Sequence, residues 1–135
     1  MTGAKRLGLT WAVVAVPVAL WLAYGQDAPK AREQLMKLKL QHAQRVLEGV
    51  AQADYALIER NARELILLSQ KAEWLVYRTR EYTMYSDEFR RNAGDLVQAA
   101  QNKNIDGCAL AYVQMTMSCV NCHKYVRETR MAARP

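Results

Sequence analysis

The sequence predicts an all-α protein, an antiparallel four-helix bundle. Beyond Lys30 the apolar side chains recur at spacings of three and four residues, the period of a helix with one buried face. No proline lies between Pro29 and Pro135, and no stretch shows the β-branched alternation that is typical of strands. Helix-start signals divide this region into four segments with short connections, which favours antiparallel neighbours.

The N-terminal segment, residues 1–25, has the pattern of a secretory signal peptide. Lys5 and Arg6 precede an uncharged apolar run of 18 residues that ends at Tyr24, and small residues at its end offer a cleavage position. Because 18 residues is the lower limit for a membrane span, an uncleaved anchor is the alternative. We therefore expect export from the cytoplasm and one small domain over residues 26–135.

The first two helices of the bundle are predicted on either side of Asp54. Asp54 is a typical N-cap, so it ends the first helix, expected over residues 31–53, and begins the second. The apolar stripe of the first helix is Met36, Leu40, Ala43, Leu47 and Val50. That of the second is Ile58, Ala62, Leu65, Ser69, Ala72 and Val76.

The third and fourth helices follow a linker expected over residues 77–85. Ser86, with two acidic residues behind it, predicts the start of the third helix, and Asn104 or Asp106 predicts the start of the fourth. The stripe of the third helix is Phe89, Ala93, Leu96, Val97 and Ala100. That of the fourth is Ile105, Cys108, Tyr112, Met115, Cys119, Cys122 and Val126.

The fourth helix carries a C-x-x-C-H motif, which runs from Cys119 through Cys122 to His123. In this spacing each thiol can form a thioether to the edge of a haem, and the adjacent histidine can reach the iron as proximal ligand. Both cysteines lie on the predicted core face, and His123 lies about 40° from Cys119 around the helix. The sequence therefore predicts one covalently bound haem c on the C-terminal helix.

Other uses of these cysteines are less consistent with the sequence, although a plain disulfide or an adventitious metal stays open as an alternative. A thioredoxin-like redox pair needs a neighbouring βαβ pattern, and a zinc site needs four ligands where the chain has three cysteines and two histidines. We expect Cys108 to be a small buried residue, with an intermolecular disulfide as its alternative. His42 lies about 120° from the middle of its helix's apolar stripe, which favours a surface or boundary position over iron ligation.

The late C-x-x-C-H motif in an all-helical chain resembles the cytochrome c′ family over roughly residues 30–130. Arg127, four residues after His123, matches a basic residue of that family, and Tyr85-Ser86-Asp87 resembles the opening of its third helix. Arg32 with Met36 is similar to the family's Arg-x-x-x-hydrophobic pattern on the first helix.

The cytochrome c′ resemblance implies roles for three further residues. Arg32 would pair with a haem propionate and Arg127 would lie beside the haem, with solvated charges as the alternative. Met36 would be the sixth iron ligand, as in low-spin relatives, with core filling as the alternative. Family members often pair through the first helix, so a homodimer is also implied.

The resemblance implies a periplasmic c-type cytochrome that passes one electron to redox partner proteins. The alternative is a five-coordinate haem protein that binds nitric oxide or carbon monoxide, and an occupied sixth position at Met36 would exclude it. We expect no enzyme, because the distal side offers no general base beyond His42. The net charge of +6 is scattered along the chain, which argues against nucleic-acid binding, and membrane contact is expected only through an uncleaved N-terminal segment.

Overall fold

The protein is all-helical wherever its structure is described. A computed structural model describes the backbone of residues 11–71 and 74–133 and the side chains of residues 29–71 and 74–133. Its helices are α1 (Trp11–Gln52), α2 (Tyr55–Ser69), α3 (Arg80–Gln101) and α4 (Ile105–Ala132). The predicted fold class, four helices without strands, is confirmed for these residues.

The first helix is longer than the sequence indicated. Its predicted start at residue 31 is wrong, because α1 is continuous from Trp11 and includes Pro29. A proline removes a single helical hydrogen bond, and here alanines, the strongest helix formers, lie close on both sides of it. The boundary expected after residue 25 falls within α1, and its cleavage stays a prediction, with residues 1–10 outside the described residues. Among the described helices, none is both long and apolar enough to traverse a bilayer.

Two tight turns of the same type join α1 to α2 and α3 to α4. One residue in each turn has a left-handed backbone: Ala53, directly after α1, with a φ of 56°, and Lys103, two residues after the end of α3, with a φ of 53°. The next backbone N–H then donates to the carbonyl five residues earlier, 2.9 Å from Asp54 to Gly49 and 3.0 Å from Asn104 to Ala99. Each turn reverses the chain within two or three residues, so the helices it joins are antiparallel.

The residues that follow these turns cap the next helices, as predicted. The Asp54 side chain accepts a hydrogen bond of 2.9 Å from the backbone N–H of Leu57. The Asn104 side chain accepts one of 2.9 Å from the backbone N–H of Gly107. Both interactions satisfy a donor that the first turn of a helix leaves without a partner, and Asn104 rather than Asp106 is the residue that begins α4.

The third helix begins earlier than predicted, at Arg80 and not at Ser86. Thr79 is its N-cap, since the Thr79 side chain accepts a hydrogen bond of 3.2 Å from the Tyr82 backbone N–H. Ser86 is buried inside α3, where its hydroxyl donates to the Tyr82 carbonyl instead of capping a helix. The second helix also ends earlier, at Ser69, so Val76 lies in the connection between α2 and α3, and Ala72 lies outside the described residues.

The predicted core faces of α2 and α3 are confirmed, whereas that of α1 is only partly right. Met36, Ala43 and Val50 are half-buried and pack against the core, but the most buried positions lie one residue earlier. Leu40 and Leu47 are 59% and 49% exposed. The buried positions on α1 are Leu35, Lys39, Val46 and Gly49. Because Gly49 has no side chain, α1 approaches α2 so closely there that an added Cβ would lie 2.8 Å from the Ile58 side chain. This contact places Gly49, one position before Val50 of the expected stripe, against α2.

Packing is sparse between the first and last helices. Each helix packs broadly against the next one along the chain, but α1 and α4 share few contacts. The predicted core face of α4 is confirmed in its main features: Cys108, Met115 and Cys122 are buried and Cys119 is half-buried. The separation of α1 from α4 leaves space beside this face.

Candidate functional site

Two neighbouring cavities lie between α1 and α4. Their volumes are about 380 and 300 Å³, within the range of small-molecule and cofactor sites. Met36, Lys39 and His123 line both of them. The larger is also lined by Glu33, Lys37, Leu40, Ala43 and Cys119. The smaller is also lined by Arg32, Trp74, Val76, Tyr82, Cys122, Val126, Arg127 and Arg130.

All six residues that the sequence singled out therefore border one region of the molecule. Arg32, Met36, Cys122, His123 and Arg127 line the smaller cavity, and Cys119 lines the larger. Because α4 turns once in 3.6 residues, Cys119 and Cys122 lie on adjacent turns of one face. Folding brings the six residues together, because Arg32 and Met36 are on α1 and the other four are on α4.

The two cysteines of the motif are free thiols, and the surroundings of the motif shift the pKa values of Cys122 and His123. All three cysteines of the chain are free thiols, so Cys119 and Cys122 do not form the disulfide that the sequence left open. Burial raises the pKa of the Cys122 thiol, which favours its protonated form. His123 is exposed overall, but partial desolvation of its ring, followed by the positive charges of Lys39 and Arg127, lowers its pKa. A lowered pKa favours the neutral imidazole, the form that ligates metals.

Lys39 is the residue at this site that the sequence analysis missed. It is only 7% exposed, and its Nζ lies 4.4 Å from the ring centroid of Trp74 and 4.3 Å from that of Phe89. Burial lowers the pKa of Lys39, and the thiols of Cys119 and Cys122 act in the opposite direction. The only signal in the sequence was its spacing, four residues after Leu35 and seven before Val46, on a stripe that is otherwise apolar.

Three arginines border the smaller cavity, and one of them has an unsatisfied donor. Among the described residues, Arg32, Arg127 and Arg130 take part in no ion pair with a carboxylate. The Nε of Arg32 is buried and has no hydrogen-bond partner. Such a buried donor is costly unless an acceptor meets it, so the site is suited to an anionic group.

Hydrogen bonds hold the aromatic wall of the smaller cavity in place. The Trp74 indole N–H donates to the Ser86 hydroxyl over 2.9 Å, and that hydroxyl donates to the Tyr82 carbonyl over 2.9 Å. The Tyr82 hydroxyl in turn donates to the Trp74 carbonyl. This closed network links the connection before α3 to α3 itself, and Trp74 packs on Phe89 with ring centroids 5.1 Å apart. It explains why Ser86 is buried.

A solved structure of cytochrome c prime from Alcaligenes xylosoxidans, a ferrous variant, has a similar fold. Its TM-score to this chain is 0.63 with 23% sequence identity, and the match covers 73% of this chain and 93% of that one. The chain has the cytochrome c′ fold. The resemblance that the motif suggested is thus confirmed at the level of the fold. No family model and no curated protein matches the sequence.

Two further residues of this cytochrome c′ fold lie away from the cavities. Cys108 is fully buried and free, as expected for a small core residue. His42 is half-buried, with its Nδ1 2.9 Å from the Asn61 side-chain oxygen, and it lines neither cavity. This position agrees with the boundary residue that the sequence predicted.

Proposed function

We propose that this chain is an exported, periplasmic c-type cytochrome that carries one electron on a covalently attached haem. The observation that carries the proposal is the location of the C-x-x-C-H motif. Cys119, Cys122 and His123 all border the cavities between α1 and α4. Two thiols and an imidazole in this spacing are the groups that hold a haem c.

The other residues of the site fit a haem as well. The larger cavity is lined almost entirely by apolar surface, which suits a porphyrin face. A haem propionate would supply the acceptor that the buried Arg32 Nε lacks, and Arg127 and Arg130 border the same cavity. These arginines can bind carboxylates through two parallel hydrogen bonds.

The haem, when bound, supplies a reversible one-electron couple, and the protein determines its surroundings. His123 would ligate the iron from α4, and Met36, on α1, is our proposed sixth ligand. Apolar side chains against a haem face would reorient little when its charge changes, which suits electron transfer. We propose a carrier that passes electrons between partner proteins, because the thiols, imidazole and thioether that border the cavities are groups that hold and ligate a haem.

The proposal is tested by producing the chain in cells that attach haem c outside the cytoplasm. We expect a purified protein with one haem, whose visible spectrum changes reversibly between ferric and ferrous forms in a one-electron voltammetric wave. The matched control, Cys119→Ser with Cys122→Ser, should contain no covalent haem. A wild-type protein that matures without haem, or that is not reversibly reduced, would contradict the proposal.

A gas-binding function is the second candidate, because the larger cavity leaves space beside Met36. Leu40 and Ala43 form its apolar wall, and a diatomic ligand could occupy such a space if the sixth position were vacant. Carbon monoxide added to the reduced protein distinguishes the two functions. Prompt binding with a high-spin ferric spectrum supports gas binding, whereas a low-spin spectrum without binding supports the electron carrier.

A further inference from the structure

We infer that Lys39 places a buried positive charge beside the haem and thereby raises its reduction potential. This inference rests on the proposed function, since it needs a haem in the cavities that Lys39 lines. It adds a residue to the site to which neither the motif nor the cytochrome c′ resemblance gives a role.

The geometry of Lys39 is unusual for a lysine. Lysines are almost never fully buried unless they are paired, yet Lys39 is 7% exposed and takes part in no ion pair of the described residues. Its ammonium lies instead against the faces of the Trp74 and Phe89 rings, at 4.4 and 4.3 Å from their centroids. Burial lowers the pKa of Lys39 and so opposes the charge, whereas the ring faces attract cations and favour the charged form.

Among the described residues no carboxylate is paired with Lys39. Glu33, which lines the larger cavity with it, is paired with Lys37, and Arg32 is the proposed partner of a haem propionate. On α4 it faces the thiols of Cys119 and Cys122 and the imidazole of His123. Attachment of a haem converts both thiols to thioethers, which cannot ionise. Arg32 and Arg127, which line the same smaller cavity, add positive charge.

A positive charge in such a position favours the reduced haem. Reduction adds one electron, taken from the redox partner, and lowers the charge of the iron centre by one. Charges interact more strongly in a buried, weakly polarisable region than in water, so the ammonium stabilises the ferrous state relative to the ferric state. Lys39 therefore affects the reduction potential electrostatically and does not bind the iron.

The test compares midpoint potentials of the haem-loaded protein and its variants. Lys39→Met keeps the length and removes the charge, and we expect the equilibrium constant for reduction to fall at least tenfold, which is 59 mV for a one-electron couple. Lys39→Arg should keep the wild-type value within threefold. The control is Lys30→Met on the same helix, because Lys30 is exposed and lines neither cavity; it should change the constant less than twofold.

Two results would overturn the inference, and both can be distinguished from a result that contradicts the proposed function. A Lys39→Met protein with the wild-type potential would show that the charge has no effect. A ferric spin state that changes in both Lys39→Met and Lys39→Gln would make Lys39 an iron ligand and not a distant charge. If Lys39→Met does not accumulate, Lys39→Gln provides a second neutral variant for the same measurement. Failure of the proposed function would be seen earlier, as a wild-type protein without covalent haem.

Discussion

Gly49 determines how closely α1 approaches α2, and replacing it by alanine tests the register of α1. An added Cβ would lie 2.8 Å from the Ile58 Cγ1 and 3.2 Å from two backbone atoms, the Asp54 carbonyl oxygen and the Ile58 nitrogen. Backbone atoms cannot rotate out of the way, so the helices would have to separate. Overpacking of this kind costs about 1–3 kcal/mol.

A matched control separates this steric cost from helix propensity. Gly94 lies within α3, and an added Cβ there would meet nothing within 4 Å. Gly94→Ala should therefore raise the free energy of unfolding by about 1 kcal/mol, the ordinary gain of alanine over glycine in a helix. In Gly49→Ala the steric cost of the added Cβ opposes the same gain. The free energies of unfolding of the two variants should therefore differ by about 1–3 kcal/mol.

Urea denaturation followed by far-ultraviolet circular dichroism measures both free energies of unfolding. We expect the order of stability to be Gly94→Ala, then wild type, then Gly49→Ala, with equal dependence on urea. Equal stabilisation by the two substitutions would refute the reasoning, because it would mean that Gly49 faces open space. The buried face of α1 would then differ from the one described, and Lys39 would not be on it.

Three further predictions concern the haem, its distal side and a turn. Cys119→Ser with Cys122→Ser should melt far below the haem-loaded wild type, because the core then faces an unfilled cavity; equal melting temperatures would contradict this. Met36→Leu should convert a low-spin ferric spectrum to high-spin and create carbon monoxide binding, and a wild type already high-spin would disprove ligation by Met36. Ala53→Gly should raise the free energy of unfolding by about 0.5–1 kcal/mol in urea titrations, since Ala53 has a φ of 56°; no gain would argue against that turn geometry.

Local signals in the sequence were sufficient for the fold class and for two of the helix starts. Asp54 and Asn104 cap their helices through contacts within three residues, so their role can be recognised from neighbours in the chain. The motif from Cys119 to His123 is equally local, and its location on the core face follows from the helical period. Whether it binds haem stays a prediction.

The errors occurred where distant parts of the chain decide the local structure. Ser86 is a residue type that often caps helices, but here its hydroxyl accepts a hydrogen bond from the Trp74 indole inside the core. Thr79 caps the helix instead. The register of α1 depends on the close contact at Gly49, which requires knowledge of α2. Lys39 was missed for the same reason, since a lysine is assigned to the surface unless its aromatic partners are known.

The central claim, that α4 carries a covalently bound haem, is tested most directly by the mass of the purified protein after extraction with acidified acetone. Non-covalent haem is removed by this treatment, whereas thioether bonds survive it. For protein produced with a working haem c maturation system, we expect a mass increased by one haem, retained after extraction and absent from the Cys119→Ser with Cys122→Ser variant. A protein whose mass equals that of the polypeptide alone would contradict the account.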